Sequence, residues 1–181
     1  MFVGIDPSLS ATGVVILDEN AKLVGSKLIK TAPTHTWRSR VCRINFIKEQ
    51  MKEFLYDHID GVADLSVTPF VLEGYSYGSR FQSHQLGELG YALRWFLYIS
   101  VCEEFTHVVP PKTIKKFVTG NGNTAKPFVA KQISTQFKLR FDDLNLSDAC
   151  ACALFALALH IPDIFNGEQV NVINEYVENL S

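Results

Sequence analysis

The sequence predicts an α/β domain built on a mixed five-stranded sheet, three antiparallel strands and then parallel additions, flanked by helices on both faces. Three observations predict it. Short apolar runs crowd the first thirty residues and recur singly afterwards. Turn residues punctuate the early runs, and segments with helical spacing separate the later ones. A meander followed by alternating helices and strands closes into one sheet covered on both sides. At 181 residues, with no internal repeat, low-complexity tract or Pro/Gly-rich linker, a single domain spanning 1–181 is expected.

The elements follow in order. Phe2–Ile5 is an apolar run ending at Asp6, and DPSLSATG turns the chain. Val14–Leu17 reads as a second strand, Asp18-Glu19-Asn20 as a turn, and Lys22–Ile29 as a third strand by its alternation. Over residues 35–58, Trp37, Val41, Ile44, Ile47 or Lys48, Met51 and Phe54 or Leu55 recur at steps of three and four, the period of a helix. Phe70–Glu73 is a short buried strand after Pro69. Leu86–Phe105 reads as one long helix, with Gly87 and Gly90 a turn apart for close packing against a neighbour. His107–Val109 is a strand stopped by Pro110-Pro111, and Lys112–Val118 a short helix. GNGNTAK is a loop, and Pro127–Lys138 is a helix with proline in its first turn. Ala149–Leu159 is Ala/Leu-rich without a β-branched residue, so it reads as a final helix.

No apolar stretch reaches the roughly 20 residues of a membrane helix; the longest, Ala149–Leu159, suits a core helix. MFVGID begins directly as a strand, so no signal peptide is expected. Cys42, Cys102, Cys150 and Cys152 show no CxxC spacing, and two lie in the apolar run. Reduced core cysteines and a cytoplasmic location are expected.

The net charge of −2 hides a segregation. Residues 105–141 carry seven basic residues and no acid, and residues 142–181 carry seven acids and no Lys or Arg. A basic stretch beside an acidic cluster suits a metal-dependent enzyme acting on a polyanion.

Three acids occupy equivalent places. Asp6 ends the first strand, Glu73 ends the fourth, and Asp148 opens the last helix. Singly they read as a turn residue, a solvated strand end and a helix cap. Together they put three carboxylates at the rim of one sheet, expected without a nearby Arg or Lys. Their repulsion is relieved by a hard cation, Mg²⁺ or Mn²⁺, through oxygen ligands. Two such ions about 3.5–4 Å apart serve phosphodiester hydrolysis.

GIDPSLSATG, VLEGYSYGSR with LGELG downstream, PKTIKKFVTGNGNTAK and LNLSDACACALFA, in that order, resemble the motifs of the RuvC-type Holliday junction resolvases. The EGYSYGS wording is more similar to the phage-encoded branch than to the bacterial one. The resemblance runs from residue 4 to about residue 156. It implies an RNase H-like fold and a homodimeric, Mg²⁺-dependent endonuclease that nicks two symmetric strands of a four-way junction, leaving 5′-phosphate and 3′-hydroxyl ends. It places Asp6, Glu73 and Asp148 on the metal-binding acids. The fourth ligand falls three residues before the last acid, at Asn145, where an amide oxygen brings no charge. Asp143 or Asp142 from the same turn is the alternative donor. The resemblance also implies that the helix around Gly87 and Gly90 is the dimer surface.

Within the basic segment, Lys112, Lys115, Lys116 and Lys126 surround the loop carrying Gly120 and Gly122. Glycines let backbone N–H groups approach phosphates closely. The resemblance puts Lys115 and Lys126 near the scissile phosphate. Tyr75, Tyr77 and Arg80 follow Glu73, and either tyrosine is a candidate to stack on bases at an opened crossover. No organic cofactor and no membrane are expected. Three alternatives stand beside this reading. One is another RNase H-like nuclease, acting on forks, flaps or RNA-containing duplexes. Another is a non-catalytic junction-binding protein. An actin-like ATPase shares the Asp-tipped strand but needs a second related domain that 181 residues do not hold.

Overall fold

The computed structural model describes residues 1–33, 36–74 and 83–180. Strands β1 (Phe2–Asp6), β2 (Ala11–Leu17) and β3 (Leu23–Lys30) form an antiparallel meander. β4 (Phe70–Glu73) pairs parallel with β1, and β5 (Thr106–Val109) parallel with β4, giving the order β3-β2-β1-β4-β5. The expected mixed sheet is present. The helices are α1 (Trp37–His58), α2 (Gly61–Ser66), α3 (Ser83–Ser100), α4 (Pro111–Thr119), α5 (Lys126–Phe137), α6 (Leu144–His160) and α7 (Gly167–Glu178). No described helix is long and apolar enough to cross a membrane.

Strand alternation sorts the apolar side chains into two cores. Val3, Ile5, Val14, Ile16, Phe70 and Leu72 face one way and meet α1, α2 and α3 through Ile47, Met51, Leu65 and Leu93. Phe2, Val15, Leu17, Val71 and Val109 face the other way and meet α4 to α7. Helix α6 is buried without a break from Ser147 to Ala158, so it is the central helix of that second layer.

Two glycines let α6 lie directly on the sheet. A Cβ on Gly4 would stand 2.0 Å from the Ala149 carbonyl oxygen, and one on Gly13 2.4 Å from that of Asn145. Any side chain there would push the helix away, and with it the first two turns that carry Asn145 and Asp148.

Five expectations need correction. Helix α3 stops at Ser100 rather than Phe105, because the Cys102 N–H turns to the Ser66 carbonyl (2.8 Å) and Glu103–Phe105 closes a 3₁₀ turn. Helix α6 begins at Leu144, capped by Asp143, so Asp148 lies in its second turn instead of opening it. Nor is α6 the last helix: α7 follows, started by a capping box between Asn166 and Gln169. The small α2 was also not foreseen. The four cysteines are free, Cys150 and Cys152 buried but Cys42 and Cys102 exposed rather than in the core.

Candidate active site

The parallel register sets Ile5 opposite Leu72, so the next residues, Asp6 and Glu73, end adjacent strands side by side. By alternation Asp6 shares the face of Phe2 and Glu73 that of Val71, the face that α6 covers. Seated on Gly4 and Gly13, α6 brings Asp148 to the same corner. Asp6 and Asp148 are each only 4% exposed.

Burial is the main influence on all three acids. It pushes Asp6 well above the usual carboxylate range, and the Glu73 carboxylate beside it adds to the rise. Burial likewise raises Glu73, which accepts a hydrogen bond from Asp6, and it raises Asp148. The acids, expected without a nearby cation, have one: α5 packs against α6 and brings its first residue, Lys126, among them as the counter-charge. Its Nζ is ion-paired with Asp148 and lies 3.8 Å from Asp6 Oδ2. Burial alone would lower the lysine, but Asp6, Asp148 and Glu73 outweigh it, and the ammonium is held above its ordinary value.

The residues have the donor chemistry for a hard cation. Every donor is oxygen, two buried acids and the half-buried Glu73 face one ammonium, Asp6 Oδ2 is buried without a hydrogen bond, and Asp148 Oδ2 has the Lys126 ammonium as its partner. They are not a ready-made cage: among the described residues no group of three His, Cys, Asp or Glu side chains closes around a metal position. Lys126 stands among them.

Asn145 lies in the first turn of α6 and lines the cavity in front of Asp6. Both its backbone N–H (2.9 Å) and its Nδ2 (3.0 Å) donate to Asp143 Oδ1. Asp143 is thereby engaged as the helix cap, and Asp142 is exposed.

The lysines divide. Lys115 and Lys126 border a recess of about 210 Å³ with Glu73. Lys116 points elsewhere, and its Nζ sits 2.6 Å from Glu175 of α7. Lys112 contributes a close backbone contact, since a Cβ on Gly122 would come within 2.8 Å of its carbonyl oxygen. Gly120 caps α4 in the left-handed region (φ 76°), its N–H on the Lys116 carbonyl. Both glycines therefore serve the local turn. Tyr75, Tyr77 and Arg80 lie outside the described residues.

Sequence reasoning missed Arg43 of α1. It lines the cavity of about 560 Å³ shared by Asp6, Lys126 and Asn145. No sequence signal marked it, because its arrival there depends on how α1 crosses the sheet.

No protein-family model matches the chain, and no curated protein matches it. Solved structures do. A Thermus thermophilus RuvC structure superposes with a TM-score of 0.65 at 21% identity, over 88% of this chain and 95% of that one. T. thermophilus RuvC in complex with a Holliday junction substrate gives 0.65 at 18%, over 86% and 92%. The architecture is thus the RNase H-like fold in the arrangement that RuvC has.

Proposed function

We propose that this protein is a Mg²⁺-dependent endonuclease that resolves four-way DNA junctions and related branched DNA, acting as a homodimer. The observation that carries the proposal is the meeting of Asp6, Glu73 and Asp148 at one sheet rim, beside Lys115 and Lys126. The RuvC-like architecture around them, one of whose solved examples holds a Holliday junction, supports DNA as the substrate.

Asp6, Glu73 and Asp148 would hold the cations, two per site, with Asn145 supplying an amide oxygen. Bound Mg²⁺ or Mn²⁺ would activate water for in-line attack and neutralise the charge growing on the leaving oxygen. The chain's own part is to position. Lys115 and Lys126 draw the phosphate to the rim, and the buried α6 holds Asp148 in place. Attack by water with the P–O3′ bond breaking and the 3′ oxygen leaving would give the 3′-hydroxyl and 5′-phosphate products, with no protein nucleophile.

Support for the dimer comes from α3. Its buried stripe is Leu89, Leu93, Phe96 and Leu97. The opposite stripe is a ladder of exposed rings, Tyr91 on Trp95 (centroids 6.3 Å apart) and Trp95 on Tyr98 (5.7 Å). A Cβ on Gly87, one turn before Tyr91, would meet nothing. A second copy fits such a self-complementary face.

Cleavage of a synthetic four-way junction by wild type and by Asp6→Asn, Glu73→Gln and Asp148→Asn tests the reading. Wild type nicks symmetrically with Mg²⁺, and each variant binds without nicking. Equal cleavage of forks, flaps or RNA-containing duplexes would move the assignment to another RNase H-like nuclease. A non-catalytic junction binder has one observation behind it, the ammonium of Lys126 seated among the acids. Binding without nicking across a Mg²⁺ and Mn²⁺ titration would establish that instead.

A further inference from the structure

Arg43 is a half-buried cation without an acid. Its Nε donates to Thr31 Oγ1 (2.7 Å), and its Nη2 donates to the Leu9 carbonyl, which also accepts from Thr31 Oγ1. Among the described residues it makes no salt bridge, whereas Lys126 in the same cavity is committed to Asp6 and Asp148. Both tethers of Arg43 are neutral acceptors. A guanidinium has five N–H donors, so three remain, oriented by the contacts to Thr31 and Leu9. Burial pulls the group below its ordinary value, the mark of a charge partly stripped of water. A partly dehydrated cation costs free energy unless an anion completes it, and the described side chains provide none.

The anion is identified by what the cavity opens onto. Arg43, Asp6, Lys126 and Asn145 line the recess of about 560 Å³. Lys126 and Glu73 also line the adjoining recess of about 210 Å³, where Lys115 stands. The cations therefore fall in an order along the rim: Arg43, Lys126, Lys115. We propose that Arg43 grips a backbone phosphate of the DNA strand on the far side of Lys126 from Lys115, so that the strand crosses the acids held at both ends. The pre-set fork takes two phosphate oxygens at once, which a lysine cannot do. This inference rests on the nuclease reading for its substrate, and it adds a contact from outside the basic segment 105–141.

The test is equilibrium binding of a fluorescent synthetic four-way junction, without divalent cation, over a series of NaCl concentrations. Wild type, Arg43→Gln, Arg43→Lys, Lys115→Gln and Lys22→Gln (an exposed lysine in the β2–β3 turn, at the opposite end of the strands from Asp6) are compared. Arg43→Gln should weaken binding roughly 5–10-fold near 0.1 M salt and lower the slope of log K against log[salt] by about one, as Lys115→Gln does. Arg43→Lys should keep the slope and lose part of the affinity, and Lys22→Gln should match wild type. A slope unchanged in Arg43→Gln while Lys115→Gln lowers it overturns the inference and leaves the nuclease reading standing. A wild type that binds no junction overturns both. If Arg43→Gln fails to fold, Arg43→Lys carries the test in a double-mutant cycle with junctions bearing one neutral methylphosphonate linkage. Non-additivity at one linkage beside the crossover is expected. Additivity at every linkage overturns the contact.

Discussion

Lys126 Nζ is ion-paired with Asp148 at the point where α5 starts and α6 passes the end of β1. The pair does two things: it ties two helices together, and it puts a monovalent charge where divalent charge is expected. Breaking a fully buried pair costs about 3–5 kcal/mol. Lys126 is 44% exposed, and solvent screening brings the cost down to on the order of 1–2 kcal/mol. Lys126→Met should therefore lower the melting temperature of the metal-free protein by several degrees, at roughly 2–4 °C per kcal/mol for a chain of this size. It should also bind Mn²⁺ more tightly than wild type, because the competing ammonium is gone. Electron paramagnetic resonance of free Mn²⁺ reads this directly. Unchanged Mn²⁺ affinity would mean that the lysine and the cation do not share a place.

Asp6 makes the pH dependence of stability predictable in sign. Its folded value lies well above the ordinary 3.8, burial being the first cause. An acid raised on folding contributes stability that is full below the ordinary value and is lost as pH rises through the raised one. Above the ordinary value the buried carboxyl therefore costs stability, and Asp6→Asn removes that cost. The variant should melt higher than wild type without metal, and the gap should widen as pH rises from the ordinary value through the raised one. Adding Mg²⁺ should raise wild type and barely move the variant. A gap that stays constant across that range would contradict the burial argument.

Gly13 tests the seating of α6. In a strand interior, Gly→Ala ordinarily gains stability, but here the new Cβ would lie 2.4 Å from the Asn145 carbonyl oxygen. Helix backbone cannot swing aside as a flexible side chain does, so overpacking decides the sign. Gly13→Ala should lose about 1–3 kcal/mol in urea unfolding. It should also lose nicking activity beyond what stability explains, since the displaced turn carries Asn145 and precedes Asp148. Activity equal to wild type at a temperature where both are folded would show that the site tolerates the shift.

The strand-borne half of the site was legible because each strand ends where its apolar run ends, at Asp6 and Glu73. The helix-borne half was legible in identity but not in depth. The apolar run starts at Ala149, yet the helix starts at Leu144, because the Asp143 side chain caps the preceding turn through the Asn145 N–H (2.9 Å). Asp148 is thus placed more by rigid packing than by the helix dipole, whose effect fades after the first turn. Helix α7 was readable from Asn166 and Gln169, spaced as a capping box, with Val172 and Ile173 to bury. The division between Lys115 and Lys116 follows partly from helical periodicity, but the partner Glu175 lies 59 residues away and only tertiary structure supplies it. Arg43 is the extreme case, joined to Leu9 across 34 residues.

The ring ladder on α3 gives the last prediction. Trp95 is 52% exposed, between Tyr91 at 63% and Tyr98 at 73%. Three large rings in one exposed stripe make an apolar patch that a lone chain has little reason to keep. Interfaces concentrate their energy in a few such aromatic anchors, each worth 2 kcal/mol or more on truncation. The opposite stripe of α3 carries the core contacts, so Trp95→Glu should leave the fold intact while placing a charge at the centre of the ladder. Sedimentation velocity at micromolar concentration should show a dimer for wild type and a monomer for Trp95→Glu, with near-equal melting temperatures at low concentration. The monomer should still bind a junction weakly but lose paired nicking, since each half-site then acts alone. A wild type that sediments as a monomer at every concentration tested would remove α3 as a dimer surface and leave the ladder without a role.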